Sequence, residues 1–260
     1  MSAAPSIANG FLAAPPAALG VIGFGLGALI GSFLAVVLIR WPQGRSVLAG
    51  RSSCDQCHGQ LRHWELVPIL SFFIALGRCR QCAAPIDPAH LLMELAAAMV
   101  GGVAFLAHSG SAGIVTAILG WWLLLLAALD ARHHWLPDRL TLPLVPIGFA
   151  VAALGVGPDL KGRLIGAAVG FLVLWVIAFA YARLRGRGGL GGGDPKLLAG
   201  LGAWLGWQQL PYVLLASGLI GLASLLIARS RGATVSATDK LPLGTLMALS
   251  AWPIWLLIVS

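Results

Sequence analysis

Charge is what this sequence has least of. Nine of its 260 residues are Asp or Glu, none of them before Asp55, and only 10% of all residues are charged. Soluble domains carry roughly 25% charged residues, so a water-soluble globular protein is excluded. Basic residues are also missing from the start, since no Lys or Arg precedes Arg40. A secretory signal needs a basic n-region and a short apolar core, whereas the apolar run from about Ala17 to Ile39 is long enough to cross a bilayer, so the first span is expected to stay in the mature chain. Internal repeats are absent. So are low-complexity segments, apart from an Ala/Pro-rich beginning and an Arg/Gly stretch near residue 186.

What is present is apolar: 58% hydrophobic residues and a mean hydropathy of +0.89. Runs of roughly 17 to 25 apolar residues read as spans. They lie near 17–39, 91–107, 113–129, 140–156, 163–182, 196–209, 211–228 and 242–258. The expected fold is therefore all-α and polytopic, with about eight transmembrane helices. The sixth is short, and with the seventh it could instead form a re-entrant pair.

Threading these spans with the N-terminus outside leaves only Lys161 and Arg163, of 17 basic residues, on the outer side. The positive-inside rule then fixes the orientation and favours a sixth segment that spans. Arg183, Arg185 and Arg187 hold the fifth span's end on the inner face. The formal net charge of +8 reflects this topology, with a secondary attraction to anionic lipid headgroups. No nucleic-acid partner is needed. The expected organisation is an outer segment and first helix over 1–39, a cytoplasmic loop domain over 40–90 and a transmembrane core over 91–260.

All four cysteines fall in that loop, as "CDQC" (Cys54, Cys57) and "CRQC" (Cys79, Cys82) with 21 residues between the pairs. Two CxxC knuckles can offer four thiolates to a tetrahedral zinc. The alternatives are free buried thiols or a redox pair. The reducing cytoplasm disfavours disulfides, and a loop of this size lacks the core to fold unaided, which a metal staple would remedy. His58 and His63 are nearby, but four sulfurs complete the shell. A closed four-sulfur site is structural, so the chemistry has to lie elsewhere.

The acids are few enough to weigh singly. Asp55, Glu65, Asp87, Asp159 and Asp239 read as solvated or capping residues of loops. Glu94 sits inside a span, where ionisable groups are rare and usually functional. Asp130 ends the run "WWLLLLAALD" at a helix C-terminus, where an acid opposes the macrodipole and cannot be a cap. Asp138, beyond Pro137, reads as a turn or cap residue opening the fourth span. On a continuous helix it would stand about 12 Å from Asp130, too far to pair. His133 and His134 read as interfacial anchors. Asp194 follows Gly191 and Gly193 and precedes Pro195 and Lys196, so it is either a helix cap or a catalyst.

The topology brings Asp130 and Asp194 to the same membrane edge on different helices. Two converging carboxylates do not both ionise easily; one keeps a proton while the other activates water, which is aspartic-protease logic. The glycines before Asp194 allow close backbone approach by a neighbour or an extended substrate. Capping amides and the helix dipole would lower Asp194, making it the expected charged base and Asp130 the protonated partner.

At these residues the chain resembles the type IV prepilin peptidases, bacterial GxGD intramembrane aspartic proteases. The resemblance runs from Gly31 through "GSFLAVVLIRWP", "RSSCDQCHGQL", "VPILSFFIALGRCRQC", "LLMELAAA", "LDARHHWLPD", "GGGDPKLLAGLGAWLG" and "LPLG". It implies that Asp130 and Asp194 are the catalytic pair; Asp138, Lys196, Gly191, Gly193 and Glu94 read as supporting residues. It implies a cytoplasmic-membrane enzyme that removes the basic leader from prepilins and pseudopilins after a glycine. It also implies N-methylation of the new terminus by S-adenosylmethionine. Two positions depart from the family: Asp55 where proline is usual, and Ala35 where asparagine is common. No Rossmann-type glycine fingerprint marks a methyl-donor site.

Two other classes compete: a proton-coupled transporter, and a non-enzymatic zinc-bearing assembly factor whose acids would be caps. Against transport, both acids lie at one edge, and no paired broken helices occupy matching positions.

Overall fold

The computed structural model describes residues 15–47, 52–186, 191–232 and 241–259, and among these the only strand-like pairing is two isolated bridges. Arg51, Arg187, Asp239 and Lys240 lie outside the described residues. The helices are α1 (Pro16–Arg40), α2 (Leu70–Ile74), α3 (Ala89–Ala107), α4 (Gly110–His133), α5 (Asp138–Thr141), α6 (Leu144–Ala152), α7 (Leu160–Arg185), α8 (Asp194–Leu205), α9 (Leu210–Ser230) and α10 (Leu243–Ile258). Short 3-10 turns join them at Trp41–Gln43, His63–Leu66 and Trp207–Gln209.

Five helical segments are long and apolar enough to cross a membrane: Pro16–Gln43, Ala89–Ala107, Gly110–His133, Leu160–Leu184 and Trp207–Ser230. The three other expected spans fold as shorter helices. Residues 140–156 break at Pro143 into α5 and α6, because proline removes an amide donor and clashes with the preceding turn. Residues 196–209 give the 12-residue α8, stopped at Gly206, whose φ of 76° ends the helical run. Residues 242–258 give the 16-residue α10.

The chain divides into two compact units, 1–121 and 122–260, with the boundary inside α4. In the first unit, α1 carries Gly23, Gly27 and Gly31 at four-residue spacing, one per turn on one face. A Cβ on Gly27 would collide with the Ala97 carbonyl of α3, and one on Gly31 would come within 2.5 Å of the Met93 carbonyl. This is the small-residue contact by which membrane helices approach closely. The Trp121 indole N–H donates to the Ala97 carbonyl (2.9 Å) on the same helix.

In the second unit, α8 is the core. Every residue of it except Lys196 is buried, so it needs no length of its own to stay in an apolar setting. Gly170 lets α7 come within contact of the Leu198 carbonyl, and Gly148 lets α6 reach Ala203. Trp204 donates to the Leu144 carbonyl (2.9 Å) and packs edge-on to Trp255 of α10, ring centres 5.5 Å apart. Arg163 is fully buried in α7, and its guanidinium donates to the carbonyls of Gly148 (2.7 Å), Pro158 (2.8 Å), Ala203 (3.2 Å) and Val156. One cation thus gathers carbonyls of α6, α8 and the turn before α7, among them that of Ala203, which lies in the last turn of α8, where carbonyls lack partners within the helix.

Candidate active site

The site is built from three helix ends of the second unit. Asp130 sits in the last turn of α4, which closes at His134: its φ of 47° is left-handed, and its amide donates to the Asp130 carbonyl (2.9 Å). The chain then turns through Leu136 and Pro137 into α5. Asp194 opens α8, with Pro195 in the first turn. Both aspartates are buried, 6% and 7% exposed, although each lies one turn or less from a helix end. Buried carboxylates require hydrogen-bond donors.

For Asp194 the donor is the Gly191 amide, 3.0 Å from Oδ2. The carboxylate does not cap its own helix, because its bond runs back to the glycine turn rather than forward to the first helical amides. This corrects the capping expectation. The expected lowering of Asp194 is corrected too. Burial, then the charge of Asp130, push the Asp194 carboxyl up to about 6 against the Gly191 bond, which lowers it. The helix dipole that was expected to favour the anion is outweighed by lost solvation and by a like charge.

For Asp130 the donors come from α10, which the acids alone did not point to. The Thr245 amide lies 2.8 Å and its hydroxyl 3.2 Å from Oδ2, while that hydroxyl also stands 2.9 Å from the Ala127 carbonyl. The amide engages Oδ2, the hydroxyl has one proton to share between that oxygen and the nearer Ala127 carbonyl, and Oδ1 is left to other partners. Gly244 makes this approach possible: a Cβ there would stand 3.0 Å from Asp130 Oδ2 and 2.7 Å from Leu136 Cδ1. Leu136 also lies against Gly193, where a Cβ would fall 2.6 Å from its own. One leucine is thus wedged between the glycine turn of Asp194 and the start of α10. The motif "LPLG" carried a signal for this, but nothing in it marked the threonine that follows.

The remaining expected residues separate. Lys196 and Asp138 form an ion pair at 2.6 Å, which joins α8 to the start of α5 at the edge of the site, with Asp138 exposed. Glu94 belongs to the first unit. It is buried, and its Oε2 accepts the amide of Ile69 at 2.7 Å.

The four cysteines converge, with all four sulfurs within 4.8 Å of one another and Cys54 and Cys82 4.0 Å apart. Zinc–thiolate bonds of about 2.3 Å put sulfurs roughly 3.8 Å apart around a tetrahedron, so the set fits such an ion after slight contraction. The two knuckles are built alike: His58 and Ala83, each following the second cysteine of its pair, have φ near 56° and 57°. The Cys82 and Gln81 amides draw the Cys79 thiol down to about 7. Cys82, despite the Ala84 amide, is pushed up to about 11 by desolvation and its three sulfur neighbours. The Cys79 thiolate forms readily, while Cys82 resists ionisation beside its sulfur neighbours. Asp55, inside the first knuckle, accepts from Arg40 (3.2 Å) and Arg45 (3.0 Å), fastening it to the end of α1.

The chain is similar to known proteins along most of its length. Residues 117–226 match the model of the type IV leader peptidase family, and residues 26–108 that of the bacterial peptidase A24 N-terminal domain. A prepilin leader peptidase/N-methyltransferase of Burkholderia pseudomallei is 40% identical over 250 residues, covering 86% of this chain and 80% of the relative. Those of Stutzerimonas stutzeri and Pseudomonas aeruginosa are 36% and 35% identical, each covering 93% of this chain and 92% and 91% of the relative. No solved structure matches the chain. With two family models side by side along the sequence and relatives alike over nearly all of it, the chain belongs to the type IV leader peptidase family.

Proposed function

We propose that the protein is an aspartic endopeptidase of the bacterial inner membrane that removes the basic leader of prepilins and pseudopilins and then N-methylates the new terminus. The observation that carries the peptidase reading is the pair of buried aspartates from α4 and α8, close enough that the charge of one raises the other. Burial and the like-charged neighbour favour the protonated form of Asp194, which makes it the acid of the pair. Asp130 activates water while the Thr245 donors fix its Oδ2, and the Asp194 proton goes to the scissile carbonyl or the leaving amine.

S-adenosylmethionine is the methyl donor. Cys54, Cys57, Cys79 and Cys82 hold a structural zinc. All eight apolar segments cross or enter the membrane with the N-terminus outside, which puts the site at the cytoplasmic edge, facing a substrate whose apolar helix lies among lipid and spans. The cleavage junction must leave its helix to be attacked, so a prepilin with a helix-favouring alanine run around the glycine should be cut slowly.

The test is co-expression of Asp130→Asn and Asp194→Asn variants with a prepilin, following the leader by gel mobility. Both variants should leave the prepilin uncut; processing by either would overturn the assignment. Transport and assembly-factor readings expect the leader to be untouched by the unsubstituted protein as well.

A further inference from the structure

The stretch between the two cysteine knuckles does not look like a solvated loop. Leu66, Leu70, Phe73, Ile74 and Leu76 are 41%, 56%, 59%, 59% and 85% exposed, within eleven residues. Large apolar groups gathered this densely on a surface mark an interaction site. We propose that residues 66–76 dip into the bilayer on the knuckle side as a short re-entrant segment, with lipid as the partner of this apolar face.

Depth is the first argument. The Ile69 amide is bonded to Glu94 Oε2 at 2.7 Å, and Glu94 is the sixth residue of the membrane-crossing α3, hence about 7.5 Å along it from Ala89. The loop backbone is therefore pinned beside a span, below its end. Ile69 accepts a φ of 65° to make that bond. A left-handed conformation is rare for a β-branched residue and costs on the order of 1–3 kcal/mol, so the contact is held against strain.

The flanks are the second argument. Exposed Arg62, Arg78 and Arg80 border the apolar stretch, and Arg80 lies 4.4 Å above the half-exposed Trp64 ring. Tryptophan with arginine is the side-chain pairing of a membrane interface, and three cations match anionic headgroups. One acid, Glu65, lies in this rim with its carboxylate on the Arg62 amide (2.7 Å), so the rim is net basic, and a water-facing protein partner would not ask for this depth. Five helical residues cannot cross a bilayer, so the segment enters and returns on the same side. The acid inside a span then has a structural purpose: Glu94 supplies the acceptor that a buried loop amide needs where water is excluded. The loop is in consequence only partly a soluble piece.

The experiment uses the full chain in vesicles of phosphatidylethanolamine and phosphatidylglycerol, with a fluorescent amino acid replacing Phe73 or, in a second variant, Leu70, and a control probe at Gln60 in the first knuckle. Bromine on the lipid acyl chains should quench both loop probes at least about twofold and spare the Gln60 probe, while aqueous iodide should do the reverse. Hydrogen exchange on the unsubstituted chain should show residues 66–76 protected in the same vesicles. Iodide quenching at Phe73 and Leu70 equal to that at Gln60 would put the segment in water. Insensitivity to both quenchers would put it under protein. Either result overturns the proposal, and neither bears on the peptidase, which is read from leader cleavage.

Discussion

Each compact unit buries acids near a helix end, and the two use them differently. In the first, Glu94 stands alone and accepts one loop amide. In the second, Asp130 and Asp194 come from different helices, each holds its own amide donor, and the charge of one acts on the other. An acid inside a membrane helix is thus not a catalyst by position. What sets the second unit apart is a second carboxylate within electrostatic reach, together with donors that leave one oxygen of Asp130 to other partners.

The hardest test of that contrast exchanges acids for amides in both places. Asp130→Asn or Asp194→Asn should lower leader cleavage by about a thousandfold or more, as loss of a single member of a catalytic group does. Glu94→Gln should change it less than about threefold, because the glutamine Oε1 can still accept the Ile69 amide. A rate for Glu94→Gln as low as for the aspartate variants would end the distinction between the units.

Next in size is a pH effect that belongs to the second unit. Asp194 titrates at about 6 rather than 3.8, so between these values the folded protein binds more protons than the unfolded chain. Its contribution is then fully present below about 3.8 and is lost as pH rises through about 6, a change on the order of 3 kcal/mol. Unfolding followed in detergent should show this decline in the unsubstituted protein and a flatter profile in Asp194→Asn. Equal slopes would show that the Asp194 carboxyl is not raised in the folded protein.

Thr245 sharpens the comparison from the donor side. Thr245→Val keeps the shape and the backbone amide but removes the hydroxyl beside Asp130 Oδ2. Hydrogen bonds to charged groups are worth about 1.5–3 kcal/mol, so kcat should fall about tenfold to a hundredfold with little change in KM. Thr245→Ser should restore most of it, a rescue that simple loss of packing would not give. An unchanged kcat for the valine variant would remove Thr245 from the machinery.

Much of this was legible in the residues themselves. Apolar runs of span length, two CxxC pairs and two acids at the ends of apolar runs each carry a local signal, and each can be read without knowing what the chain packs against. The three short helices were not legible as such. Residues 140–156 and 196–209 have the hydropathy of spans, but Pro143 and Gly206 cut them, and burial of α8 on all sides takes the place of length. Thr245 was hidden for another reason, being 115 residues from the aspartate it serves, in a helix start whose sequence says only that a turn precedes it. The direction for Asp194 was misjudged because the helix dipole is visible in sequence, whereas burial and the nearness of Asp130 are products of the fold. Glu94 was recognised as unusual, but its partner Ile69 is 25 residues away in a loop that hydropathy does not place.

The smallest effect should come from the acid that lies at the edge of the site and yet outside the pair. Asp138 is bonded to Lys196 at 2.6 Å, but the two side chains are 56% and 31% exposed. Water and salt screen such a pair, and exposed ion pairs contribute about 0–1 kcal/mol. Lys196→Met should therefore slow cleavage less than about fivefold. Its effect should fade further as salt is raised from low to high concentration, since the unsubstituted pair is weakened by the same screening. A loss for Lys196→Met comparable to that for Asp194→Asn, and insensitive to salt, would mean that the Lys196 ammonium acts on the reacting groups directly, and the boundary of the site would have to be redrawn to include the first turn of α8 beyond Asp194.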